Sequence, residues 1–191
     1  MASIIGEEKC TTIGVDEVGR GCLAGPVCAA AVALTAKIEG LKDSKKLTAK
    51  RRAVLREKII QNSVYGIGEA TSEEIDRLNI RKSTLLAMQR AVQNCVVGIQ
   101  GPVRVIVDGN DDLTGYVDHE STAFPKADDI VPEVQAASIV AKVGRDEKMI
   151  SFEKIYPAFT FSKHKGYPTA QHHAELDVYG ATPIHLSLIH I

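Results

Sequence analysis

The sequence predicts an α/β domain with a mixed central sheet flanked by helices, on three observations. Two β-type apolar runs, 12–18 and 26–34, are separated by a turn carrying Gly19, Gly21 and Gly25. Segments of helical period then alternate with further strand-like runs. Finally, Pro132 stands where the first residue of a helix belongs, ahead of a long series of small and apolar residues at helical spacing.

The elements follow in chain order. The first two strands with their glycine turn predict a β-hairpin. Residues 48–62 carry Val54, Leu55, Ile59 and Ile60 on one face, Thr48 as a cap, and Lys and Arg elsewhere, which predicts an amphipathic helix with a basic face. Residues 63–70 read as a strand, 72–78 as a short helix with acids in its first turn, and 81–97 as a longer helix presenting Leu85, Met88 and Val92. An apolar strand, 103–107, ends at Asp108. The helix from Pro132 runs through Ala137, Val140, Ala141 and Val143 to about Phe152, and its small residues predict close packing. A basic loop, 156–168, leads to a last helix, 169–179, stopped by Gly180.

At 191 residues and 45% hydrophobic content, the chain can bury a substantial core as one compact domain with a small appendage. A formal charge of −1 excludes a uniformly basic coat, so binding to a polyanion would need local clusters of Lys and Arg. Cys10, Cys22, Cys28 and Cys95 form no C-x-x-C pair, and no signal pattern opens the chain. Its longest apolar run falls far short of the roughly 20 residues that span a bilayer. A cytoplasmic protein with no membrane partner is the expectation.

The chemistry is carried by carboxylates. Asp16 and Glu17 fall inside an apolar strand, where a charge is costly without compensation, and Asp108 ends a second one. Brought together, such groups repel; Mg²⁺ or Mn²⁺ relieves the repulsion and takes the hard oxygen ligands it prefers. Two such ions held about 3.5–4 Å apart suit phosphodiester hydrolysis without a covalent protein nucleophile. Adjacent strand residues point to opposite faces, so Asp16 and Glu17 can share one site only if the strand is distorted, for which the nearby glycines offer a means. Taken singly, each acid is more often a salt-bridged structural residue.

Other motifs fail on their own terms. Gly19-x-Gly21-x-x-Ala24 matches a dinucleotide fingerprint in spacing, but Pro26 leads into a strand where a helix must begin. Gly14 to Gly19 has P-loop spacing, yet Arg20 and Gly21 stand where Lys and Ser or Thr are required. No pair among His164, His172, His173 and His185 has the spacing of a helical zinc site. His164 is read as shaping the basic loop, and the others as surface or packing residues.

The run 14–21, Gly-Val-Asp-Glu-Val-Gly-Arg-Gly, with Ala24-Gly25-Pro26-Val27, resembles the opening of the type 2 ribonuclease H family, ribonuclease HII. Asp43-Ser44-Lys45-Lys46-Leu47, Val107-Asp108-Gly109-Asn110, residues 136–143 with Arg145-Asp146, and His164-Lys165-Gly166-Tyr167 follow in the family's order and cover nearly the whole chain. The resemblance implies a ribonuclease H-like fold over 1–155, with a C-terminal helical substrate-binding region over 156–191. It implies an active site of one Glu and three Asp: Asp16, Glu17, Asp108, and a fourth whose offset from Ser138 selects Asp128 over Asp129, with Asp146 the weaker candidate. Asp16 would bridge two Mn²⁺ or Mg²⁺ ions. Gly19, Arg20 and Gly21, with Tyr167, would recognise the 2′-hydroxyl at an RNA-to-DNA junction; Lys45, Lys46, Ser138 and Lys142 would complete the substrate contacts. Lys42, Lys50, Arg51, Arg52, Lys163 and Lys165 are read as further phosphate contacts.

The expected function is that of a monomeric endoribonuclease. It would hydrolyse the RNA strand of RNA–DNA hybrids and cut 5′ of ribonucleotides embedded in duplex DNA. After Pro183-Ile184-His185 the chain departs from the family pattern and reads Leu-Ser-Leu-Ile-His-Ile, so a truncated or non-native end is expected. The rival reading is a hybrid-binding protein of the same fold that no longer turns over.

Overall fold

A computed structural model describes residues 10–187. The differing C-terminal tail beyond Ser187 therefore lies outside the described residues. Strands β1 (Thr11–Val18), β2 (Val27–Leu34), β3 (Ser63–Ala70), β4 (Val103–Asp108) and β5 (Glu120–Phe124) form one sheet in the order β3-β2-β1-β4-β5. β1, β2 and β3 are joined antiparallel, whereas β4 runs parallel to β1 and β5 parallel to β4. The sheet is mixed, and the N-terminal hairpin is present.

Helices cover both faces. α1 (Ala49–Gln61) and α4 (Pro132–Ile155) pack on one side through Leu55, Ile59, Ala136, Ala137, Ile139 and Val140. α2 (Ser72–Leu78) and α3 (Ile80–Val96) close the other side, where Leu85, Met88 and Val92 meet Ile13, Val15, Val105 and Val107. Caps fix the helix starts as their sequences direct: Thr48 accepts from Arg51 N–H, and Thr71 forms a capping box with Glu74. α5 (Phe161–His164) and α6 (Ala170–Tyr179) sit with Phe159 and Phe161 against Met149 of α4 and Ala24 of the glycine turn.

Two elements depart from expectation. β5 was not expected, because its residues are half-buried or exposed and it pairs only with β4, so no apolar alternation marks it. The loop expected over 156–168 contains the single turn α5, whose Phe161 and His164 are buried. α4 also continues to Ile155, three residues past the expected end.

Close helix-to-sheet contact is set by glycine. A Cβ on Gly14 would overlap the α4 backbone at Glu133 and Val134, and Cβ atoms on Gly66 and Gly68 would overlap that of α3. Gly14→Ala should therefore cost at least about 2 kcal/mol, read as a lower urea midpoint. Gly144→Ala, in α4 with open space at its Cβ position, should instead stabilise by about 0.5–1 kcal/mol in the same titration.

Candidate active site

β1 and β4 lie side by side and parallel, so their C-terminal ends emerge together. Asp16 sits near the end of the first, Asp108 ends the second, and Asp128 is held in the 3-10 turn Ala127–Asp129 just ahead of α4. These three can each offer a carboxylate oxygen with all three atoms within 4.8 Å of one another; among the described residues no other such group of His, Cys, Asp or Glu occurs. Asp108 Oδ1 accepts the Ala127 N–H at 2.8 Å, a contact that places the Asp128 turn over β4. Asp16 and Asp128 are buried, at 6% and 5% exposure.

This cluster is electrostatically expensive. Burial raises the Asp16 carboxyl well above its ordinary range, repulsion from Glu17 and Asp108 adds to that, and a hydrogen bond with Ser138 only partly offsets it. Asp128 is raised by burial and by the charge of Asp108. The nearest cation, Lys45, has its Nζ 3.9 Å from Asp128 on a side chain 80% exposed. Buried carboxylates without a close fixed cation are the donor set of a hard divalent ion.

Glu17 takes the opposite face of β1. The register through Asp16, Glu17 and Val18 is unbroken against Ala30, Ala29 and Cys28, so the distortion considered for this strand is absent. Asp16 turns toward α4 and Ser138, whereas Glu17 lines a groove with Asp108, Arg20, Thr84 and Asn110. Glu17 therefore flanks the three-Asp cluster at the sheet edge and is not one of its members. Burial raises its carboxyl, against the opposing Arg20 guanidinium 3.3 Å away.

Neighbouring acids have other partners. Asp129 pairs with Lys46 and Asp146 with Lys142 at 2.7 Å, which leaves Asp128 as the acid of that turn in the cluster. Ser138 Oγ lies 2.8 Å from Ser44 Oγ, tying α4 to the segment that carries Lys45 and Lys46. Asp16, Lys45, Ser138, Lys142 and Tyr167 line one cleft.

The glycine turn and Tyr167 are joined by Arg145, a residue whose role sequence reasoning missed. It is 1% exposed and donates to the carbonyls of Pro26 at 2.9 Å, Lys165 at 2.8 Å and Ala24 at 3.1 Å. Its guanidinium carbon and Lys142 Nζ lie 5.6 and 5.4 Å from the centre of the Tyr167 ring. A Cβ on Gly19, at φ 105°, would meet Arg145 Nε at 2.5 Å; Gly21 is open. Burial lifts the Tyr167 hydroxyl to about 12, so it remains a neutral donor. Spacing offered a hint, since Ser138, Lys142, Arg145 and Met149 recur on one α4 face.

Some expected phosphate contacts are engaged elsewhere. Arg52 donates to the carbonyls of Ser44 at 2.9 Å and Leu47 at 2.6 Å, and Lys165 to that of Ser162. Arg52 thus shapes the Lys45 turn; Lys42, Lys50, Arg51 and Lys163 are exposed.

Fold and acid cluster together define a ribonuclease H-like hydrolase. The ribonuclease HII model matches residues 13–190. The ribonuclease HII of Coxiella burnetii is 50% identical over 175 residues, covering 90% of this chain and 84% of that protein. The chain belongs to the ribonuclease HII family, and so is an endoribonuclease acting on RNA–DNA hybrids. Among solved structures, the ribonuclease HII of Archaeoglobus fulgidus in its complex with PCNA is similar with a TM-score of 0.74 and 25% identity, covering 93% of this chain and 94% of that one. Bst-RNase HIII in complex with Mn²⁺ shares the fold, with a TM-score of 0.69 and 22% identity over 90% of this chain and 63% of that one. No described helix is long and apolar enough to cross a membrane.

Asp16→Asn keeps the acceptor for Glu17 N–H while removing one buried charge. It should raise the melting temperature of the metal-free protein by about 2–4 °C, the scale of 1 kcal/mol for a chain this size. Calorimetry should also show that Mn²⁺ no longer raises the transition of this variant as it does that of the unsubstituted protein.

Proposed function

We propose that Asp16, Asp108 and Asp128, with Glu17 at their edge, form the catalytic centre that cuts the RNA strand of a hybrid, and the bond 5′ of a ribonucleotide embedded in duplex DNA. The observation that carries the reading is the meeting of three carboxylates at the ends of two parallel strands, two of them buried. Two Mn²⁺ or Mg²⁺ ions, when bound, would activate water and stabilise the leaving 3′-oxygen. The Mn²⁺ complex of Bst-RNase HIII supports a divalent ion in this fold.

The chain's own groups do the rest. Asp16, beside Asp108 and the Ser138 hydroxyl, would be shared between the ions, Asp108 and Asp128 would complete the ligand set, and Glu17 would add a carboxylate at its edge. Lys45 and Lys142 bring positive charge to the scissile strand in the cleft beside Asp16. Lys46 and Ser138 flank it. Gly19, Arg20 and Gly21 let the backbone approach a ribose closely, and the Tyr167 ring stacks on the following sugar or base. Residues beyond 155 grip the duplex, and the protein acts as a monomer in the reducing cytoplasm, where its four cysteines stay free.

The test is a duplex bearing one embedded ribonucleotide, incubated with and without Mn²⁺ or Mg²⁺. A metal-dependent nick on its 5′ side is expected, and no nick refutes the reading. Asp108→Asn should lower the rate more than about 100-fold while duplex binding persists; a binding protein without turnover would have no activity to lose. Titrating salt in a binding assay should give a straight falling line in log–log form, with a slope of about −0.9 per phosphate contacted. Lys142→Ala should make that slope shallower by about one unit.

A further inference from the structure

The C-terminal segment holds a buried imidazole network for which phosphodiester cleavage has no use. His164, His172 and His185 are 5%, 0% and 7% exposed. They pack around Phe159 and Phe161, with the His164 and His172 rings stacked at 4.0 Å. His172 is a packing residue that also makes two ring hydrogen bonds.

Backbone partners determine each tautomer. His172 Nδ1 lies 3.0 Å from the Tyr167 carbonyl, which can only accept, so this nitrogen carries the hydrogen and Nε2 accepts. That Nε2 is 3.0 Å from Nε2 of His185. Nδ1 of His185 accepts the Thr182 N–H at 2.9 Å, so the His185 hydrogen sits on Nε2 and points at His172. The chain is directional: Thr182 donates to His185, His185 to His172, and His172 to the Tyr167 carbonyl. Thr169 N–H donates to that same carbonyl at 2.8 Å. Separately, Gly166 N–H donates to His164 Nδ1, and His164 Nε2 donates to Glu175 at 2.9 Å.

The far end of this chain is joined to the glycine turn. Gly25 N–H donates to the Ile184 carbonyl at 2.8 Å and Leu186 N–H to that of Leu23 at 2.9 Å, on either side of His185. One relay therefore links the Tyr167 peptide to the strand-like contact that borders Gly19 to Gly25.

We propose that His172 is a positioning residue for ribonucleotide recognition: through its Nδ1–H on the Tyr167 carbonyl it holds the Tyr167 ring in register with the Gly19–Gly21 turn. This rests on the reading of Tyr167 as the sugar-sensing ring. An added proton on His172 Nε2 would face the His185 hydrogen and so break the relay in this direction.

The titratable groups around His172 are His164, His173, Glu175 and His185. Burial holds His172 below its ordinary range, against the raising effect of the Tyr167 carbonyl. With the folded value depressed, the unfolded chain binds more protons in the window below about 6.5, so the relay's contribution is full above that pH and declines as pH falls through the folded value.

The test uses a duplex whose cut strand passes from RNA into DNA, and reads the fraction of cuts at the junction. That fraction does not depend on how much protein is active. In His172→Asn the amide reproduces the Nδ1–H donor to Tyr167; in His172→Gln it reaches the Nε2 position and abandons Tyr167. Junction preference should stay within about twofold in the Asn variant and fall about tenfold in the Gln variant, the scale of one buried hydrogen bond. Should neither variant melt cooperatively, the unsubstituted protein is assayed from about pH 8 downward to the onset of acid unfolding, where junction preference should hold through about 6.5 and decline only at lower pH, because the folded His172 takes up its proton below its ordinary range. Equal shifts in both variants, no shift in either, or a profile that stays flat until the protein unfolds would overturn the positioning role. Absence of any metal-dependent cut by the unsubstituted protein would instead refute the carboxylate site.

Discussion

Repulsion among buried carboxylates is the constraint from which this molecule is best understood. Asp16 and Asp128 are removed from water and stand within ligand distance of Asp108, an arrangement that folding alone would avoid. It is sustained by a rigid frame: parallel pairing of β1 with β4 brings two acids to the same sheet edge, and the Ala127 N–H on Asp108 fixes the third. Stability spent in this way marks the cluster as a candidate site for a divalent ion.

α4 connects that centre to the means of choosing a substrate. Ser138 touches Asp16 and Ser44, Lys142 and Arg145 lie over the Tyr167 ring, and Met149 supports the glycine turn, all from one helical face. A single element thus sets the distance from the acids to Tyr167 and the glycine turn. Arg145 is the centre of this arrangement, since its three carbonyl partners belong to the glycine turn and to the segment that bears Tyr167. His172 bonds the Tyr167 carbonyl of the same segment, so Tyr167 is contacted at ring and peptide alike.

Legibility in the sequence tracked burial and repetition. β2 carries an unbroken apolar run because both of its faces are covered, and β1, β4 and α4 carry enough buried apolar positions at strand or helix period to have one reading. β5 lacked such a pattern, as an edge strand half open to solvent has little apolar demand on its side chains. α5 was hidden in a basic loop because its buried residues, Phe161 and His164, are two among polar neighbours and make less than two turns of period. At the site, acids inside apolar strands were conspicuous for their cost. Arg52 shows the complementary difficulty: its bonds to the Ser44 and Leu47 carbonyls could not be read from a basic residue at a helix start.

By itself, the sequence determined the strands and helices other than β5 and α5, the acids that could not be tolerated singly in a core, and, through its ordered motifs, the ribonuclease HII resemblance. These are local properties, set by period, by propensity and by the cost of a charge among apolar neighbours. Only the tertiary structure decided how closely Asp128 approaches Asp16 and Asp108, that Glu17 takes the other face of an undistorted strand, and that Arg145 and His172 converge on the Tyr167 segment. Arg145 alone joins Lys165, 20 positions away, to Pro26, 119 positions away, and such geometry depends on sheet order and helix placement, which no single segment encodes.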